Sequence, residues 1–308
     1  MVSTTASTTV NITESIMVTM ESKKTNQQNN KLWKILMIVF LAGAIICGTV
    51  FGVQSYRKHQ AQKQLEELAQ QTNQTPEKEE VVASTQESQT ASTEPSVSAE
   101  PDPLEVLAEM GVPVPEKEID FEDLQVNTNE HIYAWVYIPD TKIDYPILQH
   151  PDNNLYYLER NLDGSKGYPG CIYTEDYNSK DFTDPNTVLY GHNMKNGTMF
   201  AGLHKYEDMQ YLEEHPYVYV YTPDELLVYE IFAAYEYSNA HLLLNWDLTN
   251  EAFYKQYLEE IKEVRSMTYN YREDVEVTTE DKILTMSTCI ANKPNNRYLV
   301  QGVLINED

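Results

Sequence analysis

The chain has 308 residues, enough for one or two domains, and its 48 acidic residues outnumber its 22 basic ones to give a net charge of −26. This acidic balance argues against nucleic-acid binding, which requires a basic face. Three cysteines are too few for a disulfide framework, and 23 tyrosines against 7 phenylalanines favour a β-rich domain with half-buried strands.

The N-terminal third of the chain predicts a membrane anchor and a linker. Residues 1–34 are polar and without periodicity, so we expect a disordered cytoplasmic segment. Residues 35–53 form an uncharged apolar run of about 19 residues, the length of a membrane-spanning helix. A cleaved signal peptide is the alternative, but no small-residue cleavage site precedes Gln54. Residues 54–102 become rich in Thr, Ser, Glu, Gln and Pro along their length and are predicted to be an extracellular linker.

Residues 103–308 are predicted to be the folded domain. Two short helical patterns open it, at Pro103–Met110 and Ile119–Leu124. Alternating apolar and aromatic runs bounded by turn residues then predict six strands. These are Tyr133–Ile138, Ile143–Leu148, Cys171–Tyr173, Thr187–Tyr190, Tyr217–Tyr221 and Leu226–Tyr237.

One longer helix is predicted between these strands and the end of the chain, at Glu251–Val264. Its spacing places four apolar residues on one face, namely Phe253, Tyr257, Ile261 and Val264. Thr249 or Asn250 is expected to cap its N-terminus. One or two further helical turns are expected at Met199–Tyr206.

Two strands close the chain, at Ile283–Cys289 and Arg297–Ile305, and the polar loop Ile290–Asn296 is expected to join them. The total is about eight strands with turn signals between them, which indicates an all-β barrel or sandwich with peripheral helices.

The end of the first of these strands carries the strongest candidate for chemistry. Cys289 lies at the mouth of the loop and Arg297 begins the next strand, so a cation is available to lower the thiol pKa or to stabilise an oxyanion. A buried cysteine that closes a core strand is the alternative. His192 follows a strand and a glycine, which is a common way to present a general acid or base, although a capping or surface histidine fits equally.

Taken together, these residues resemble the sortase family, and their details resemble its class B. The resemblance lies in three segments and the arginine that follows the last of them. The segments are Gly191–Phe200 (GHNMKNGTMF), Ile138–Pro146 (IPDTKIDYP) and Asp281–Cys289 (DKILTMSTC). It implies an eight-stranded β-barrel with added helices, behind a membrane anchor and a disordered linker.

The resemblance also implies a role for each matching residue. Cys289 is the nucleophile that forms a thioacyl intermediate, His192 is the general acid and then the base, and Arg297 holds the substrate carbonyl or the oxyanion. We predict in addition that Ser287, Thr288 and Asn193 contact substrate. Cys171 is expected to be a small buried residue and not a second nucleophile.

The implied activity is a cysteine transpeptidase of the thiol-peptidase type. No cofactor is expected, and no spacing of the acidic residues singles out a metal site, so metal dependence stays open. Its implied partners are surface proteins with a C-terminal sorting signal and an amine of peptidoglycan, and its location is the cell membrane, crossed once with the N-terminus inside. Three alternatives remain from the residues alone: a secreted peptidase that only hydrolyses, a pilin-polymerising sortase, and a non-catalytic binding module on a stalk.

Overall fold

The computed structural model describes residues 5–73 and 103–306. The chain divides into two units, Met1–Arg57 and Lys58–Asp308, and each is described by itself. Residues 74–102 of the predicted linker lie outside the described residues, as do the first four residues of the predicted cytoplasmic segment.

Helix α1, Thr5–Thr72, accounts for the whole of the described N-terminal region. It includes a stretch long and apolar enough to cross a membrane, in agreement with the predicted span at residues 35–53. The structure differs from the prediction before that span, because residues 5–34 are helical and not irregular, and α1 also continues through residues 54–72 of the predicted linker. Once an apolar helix has nucleated, each further residue adds a hydrogen bond at low cost, so the helix extends into polar flanks that have no periodicity of their own.

Nine strands form a single sheet within the described residues 103–306. They are β1 Ile132–Tyr137, β2 Asp144–Leu148, β3 Ile172–Tyr173, β4 Asn186–Tyr190, β5 Tyr217–Tyr221, β6 Leu226–Ser238, β7 Asn270–Tyr271, β8 Ile283–Ile290 and β9 Lys293–Leu304. The eight predicted strands are confirmed. The two-residue β7 was not predicted, since two residues are too short to carry an alternating pattern.

The sheet closes on itself as a barrel. Its strand order is β5-β1-β2-β3-β4-β8-β9-β6-β7, and β5 also pairs with β6, so eight strands close and β7 extends the sheet beyond β6. The predicted eight-stranded barrel is therefore confirmed. Strands β4 and β8 run parallel, with Tyr190 beside Ser287, and this pairing brings the ends of two distant segments to one rim.

The predicted helices are present beside the barrel strands, and two further short helices accompany them. They are α2 Pro103–Glu109, α3 Phe121–Asn127, a 3₁₀ helix Phe200–Glu207, α4 Met209–Glu214, α5 Leu242–Asn245 and α6 Glu251–Lys262. Asn250 caps α6 by accepting from two backbone N–H groups. The predicted apolar face of α6 was wrong in two members. The helix ends at Lys262, so Val264 lies beyond it, and Tyr254 is buried in place of Phe253, with its hydroxyl donating to the carbonyls of Pro185 and Asp281. The short helices α4 and α5 were missed.

The connection between β8 and β9 is shorter than the predicted loop. Only Ala291 and Asn292 separate the strands, and Asn292 adopts φ 63°, which the tight turn requires. Residues 293–296 were expected to break the strand and instead extend β9, because Asn296 pairs with Ser238 of the long strand β6. The prolonged pairing holds the ends of both strands in one register.

A buried polar network fixes β8 from beneath. Gln301 of β9 donates to the hydroxyls of Thr285 (2.7 Å) and Tyr257 (2.5 Å), and it accepts from Tyr235 (2.9 Å). Thr285 in turn donates to Asn186 of β4 at 2.8 Å. These bonds tie α6, β4 and β9 to the strand that ends in Cys289, and they leave only Nδ2 of Asn186 without a partner among the described residues of the network.

Candidate active site

A cavity of about 350 Å³ lies where β4, β8 and β9 end. The three residues predicted to carry chemistry, His192, Cys289 and Arg297, all line it. Ser287 and Thr288 also belong to its wall, whereas Asn193 does not. The structure therefore brings together five of the six predicted site residues, which come from three separate stretches of the chain.

Cys289 and Arg297 lie directly opposite each other in the β8–β9 ladder. The thiol of Cys289 is free and exposed, which a core cysteine would not be. The Arg297 guanidinium donates from Nη1 to the backbone carbonyls of Asn296 (2.9 Å) and Pro294 (3.1 Å). Those two bonds orient the guanidinium and use one of its nitrogens, so its remaining N–H groups stay available to a substrate oxygen.

The imidazole of His192 is held by one backbone carbonyl and one aromatic ring from the segment 158–168. Its Nε2 lies 2.7 Å from the Leu158 carbonyl oxygen, and its ring packs edge-on against Tyr168 at 4.9 Å. A carbonyl only accepts, so Nε2 carries the proton and Nδ1 is the nitrogen open for proton exchange. Burial lowers the pKa of His192, while the Leu158 carbonyl and the charge of Glu159 act in the opposite direction. Within the described chain, no hydrogen bond joins His192 to Cys289.

Gly191 is the point at which the histidine segment is fixed to the cysteine strand. Its N–H donates to the carbonyl of Ser287 (3.1 Å), and the Thr288 hydroxyl donates to the Gly191 carbonyl (2.8 Å). A Cβ on Gly191 would stand 2.5 Å from Ile172 and 2.7 Å from Phe200, so no side chain fits. The Thr288 hydroxyl is thus committed to the backbone, whereas Ser287 lines the cavity with no side-chain hydrogen bond of its own among the described residues.

Asn193 contacts the nucleophile's own peptide group and not the cavity. Its Nδ2 donates to the carbonyl oxygen of Cys289 at 2.9 Å and lies 2.9 Å from Nε2 of His204. His204 Nδ1 contacts Glu207 at 2.6 Å, and the His204 ring stacks on Tyr298 at 5.1 Å. Because Asn193 follows His192 in the chain, this bond fixes the separation between the two candidate catalytic residues.

We expect Asn193→Ala to lower kcat about tenfold with little change in KM, because the end of β8 loses a hydrogen bond that positions the thiol. Steady-state cleavage of a quenched sorting-signal peptide measures both constants. Asn127→Ala on the exposed α3 is the matched control. An unchanged kcat for Asn193→Ala would contradict this role, and a raised KM at constant kcat would instead support the predicted contact with substrate.

The cavity wall also contains a cluster of three polar residues that was not predicted. Glu175, Tyr190 and His241 all line it, together with apolar side chains from Val188, Leu242 and Leu299. Glu175 follows the short β3, and His241 caps the short helix α5. Neither had a sequence signal, since a single Glu after two strand residues and a histidine before a four-residue helix match no motif.

Comparison with known proteins finds relatives of this chain in sequence and in structure. A model of the sortase domain matches residues 136–305. Sortase B of Listeria monocytogenes is 38% identical over 185 residues, which is 59% of this chain and 73% of the relative. Sortase B of Staphylococcus aureus is 32% identical over 169 residues, 55% of this chain and 67% of the relative. The crystal structure of sortase B from Bacillus anthracis in complex with AAEK1 is 33% identical with a TM-score of 0.52, and the match covers 61% of this chain and 84% of that one.

Proposed function

The chain belongs to the sortase family and resembles its class B members throughout the barrel, and from this premise we propose that it is a membrane-anchored cysteine transpeptidase. The general activity of the family is the anchoring of surface proteins by transpeptidation. For this chain the proposal is that it cleaves a C-terminal sorting signal and transfers the acyl group to an amine of the peptidoglycan cross-bridge. The observation that carries it is the opposition of Cys289 and Arg297 in one cavity with His192.

In the proposed first half-reaction, the Cys289 sulfur attacks the carbonyl carbon of the scissile peptide. The thiol proton passes to Nδ1 of His192, whose neutral form is favoured because burial lowers the pKa of this imidazole. His192 then gives that proton to the nitrogen of the leaving peptide as the C–N bond breaks. A thioester between the acyl group and Cys289 remains.

In the second half-reaction, an amine enters and attacks the thioester carbon. His192 takes a proton from the amine nitrogen, the C–S bond breaks, and the proton returns to the Cys289 sulfur, so the enzyme is regenerated. The carbonyl oxygen becomes negative in both tetrahedral intermediates. Arg297 supports the proposal here, because N–H groups of its guanidinium that make no bond to the backbone are available to this oxygen.

The apolar stretch of α1 supports the membrane part of the proposal. Residues 35–53 would cross the bilayer, with the N-terminus inside and the barrel outside, where the wall amine is found. Residues 54–102 would then separate the barrel from the membrane surface.

The experiment that tests the proposed function is product analysis by mass spectrometry. The full chain in detergent micelles is incubated with a set of sorting-signal peptides, with and without amine acceptors that include a cross-bridge peptide and a lysine-bearing protein. We expect an amide-linked adduct with the cross-bridge amine. Free acid as the sole product would mean a hydrolytic peptidase, adducts confined to the protein lysine would mean a polymerising enzyme, and no cleavage of any peptide would overturn the proposal.

A further inference from the structure

Glu175 is a buried carboxylate that the proposed reaction does not use. Its side chain retains 7% of its exposure, and it lines the same cavity as Cys289. Its Oε2 contacts Nε2 of His241, and its Oε1 accepts no hydrogen bond from any residue that the structure describes. One carboxylate oxygen of this cavity-lining residue is therefore left without a partner among the described residues.

His241 does not neutralise the charge of Glu175. The backbone N–H of Leu244 donates to His241 Nδ1 at 3.2 Å, as the N-cap bond of helix α5. Nδ1 must carry a lone pair to accept that bond, so the single ring proton is on Nε2, where it is donated to Glu175. In this arrangement the ring carries one N–H, and Oε2 of Glu175 accepts it.

Apart from the contact with His241, no cationic side chain in the described part of the chain forms an ion pair with Glu175. Arg297, the guanidinium of the cavity, bonds the carbonyls of Pro294 and Asn296 and makes no ion pair with Glu175. A buried charge without a counter-ion is unfavourable, so such a group is typical of a ligand site.

Tyr190 provides a second unpartnered polar group on the same wall. Its hydroxyl is buried and makes no hydrogen bond with the described residues. Its ring stacks on Tyr173 at 5.5 Å and stands 6.4 Å from the ring of His241. Burial, and next the charge of Glu175, raise the pKa of Tyr190, so its hydroxyl stays protonated and offers both a donor and lone pairs.

We propose that Glu175, Tyr190 and His241 form a subsite for an ammonium group, within reach of the thioester on Cys289. An ammonium brings three N–H donors and a positive charge, which match the open Glu175 oxygen and a lone pair of Tyr190. The apolar walls formed by Val188, Leu242 and Leu299 suit the alkyl chain that carries it. This inference rests on the proposed function.

The ammonium bound here is not the nucleophile, because pairing with a carboxylate favours the charged form and a charged amine has no lone pair. It belongs to a second amino group of the substrates. One source is a diamino acceptor, whose other amine attacks the thioester. The other source is a lysine side chain of the sorting signal. The chemistry is the same for both, and the two are separable by experiment.

The acceptor arm compares 1,5-diaminopentane with pentan-1-amine as nucleophiles for the full chain in detergent micelles. We expect the wild type to have a KM for the diamine about tenfold below that for the monoamine, because only the diamine makes the charged contact. Glu175→Gln, which keeps the shape and an acceptor for His241, should remove this difference by raising the KM for the diamine to that for the monoamine. Tyr190→Phe should reduce it in part.

The signal arm compares two peptides that differ by lysine or norleucine at one position, scanned along the signal, with no amine added. If the ammonium belongs to the signal, wild type should prefer lysine at one position about tenfold in kcat/KM, and Glu175→Gln should lose that preference. The subsite would be overturned if wild type and Glu175→Gln had the same diamine-to-monoamine KM ratio and the same lysine-to-norleucine preference. It would also be overturned if the variants lost kcat equally for all substrates. The proposed function fails by a different result, namely no amide product from wild type with either amine.

Discussion

Replacing Cys289 by alanine should lower kcat/KM for cleavage by at least about 10³-fold and abolish transfer to any amine, because no other group supplies the nucleophile. The measurement is cleavage of a quenched sorting-signal peptide, with trapping of the acyl-enzyme followed by intact-protein mass spectrometry. Wild type should gain the mass of the acyl group, and Cys289→Ala should gain nothing.

Cys171→Ser is the matched control for this prediction. Cys171 is 1% exposed, and its thiol donates to the Arg160 carbonyl at 3.3 Å, a bond that a serine hydroxyl can replace. Burial raises the pKa of the Cys171 thiol, so it is an inert thiol at neutral pH. Cys171→Ser should therefore retain wild-type cleavage. Wild-type activity in Cys289→Ala, or loss of acylation in a folded Cys171→Ser, would contradict the assignment of the nucleophile.

The strands were predictable because each carries its own signal. In β5, β6, β8 and β9 the β-branched and aromatic residues favour strands, and turn residues separate the runs. Closure of the barrel had no such local signal. It depends on the pairing of β1 with β5 and on the parallel pairing of β4 with β8, contacts that join residues between 82 and 97 positions apart.

The candidate site was predictable to the extent that motifs carry it. His192 and Cys289 lie in segments with recognisable neighbours, and Arg297 follows at a fixed register from Cys289. Glu175 and His241 could not be found in this way, because they meet only after β3 and α5 have been placed on the barrel. Asn193 was predicted to contact substrate, a prediction that stands untested, yet its amide bonds the Cys289 carbonyl, an interaction that depends on the exact ends of two strands.

His192→Gln should lower kcat/KM about 10²- to 10⁴-fold and should also change the pH dependence of the residual activity. Glutamine keeps a donor for the Leu158 carbonyl but cannot exchange a proton, so folding is spared while proton transfer is lost. Since burial lowers the pKa of His192, the acid limb of the wild-type profile should lie below the ordinary histidine value of about 6.5. As pH falls through that pKa, the imidazole becomes charged, Nδ1 can no longer accept the thiol proton, and the rate drops. The limb should be absent in His192→Gln and unchanged in the control His150→Gln, and a limb that persists in His192→Gln would assign the titration to another group.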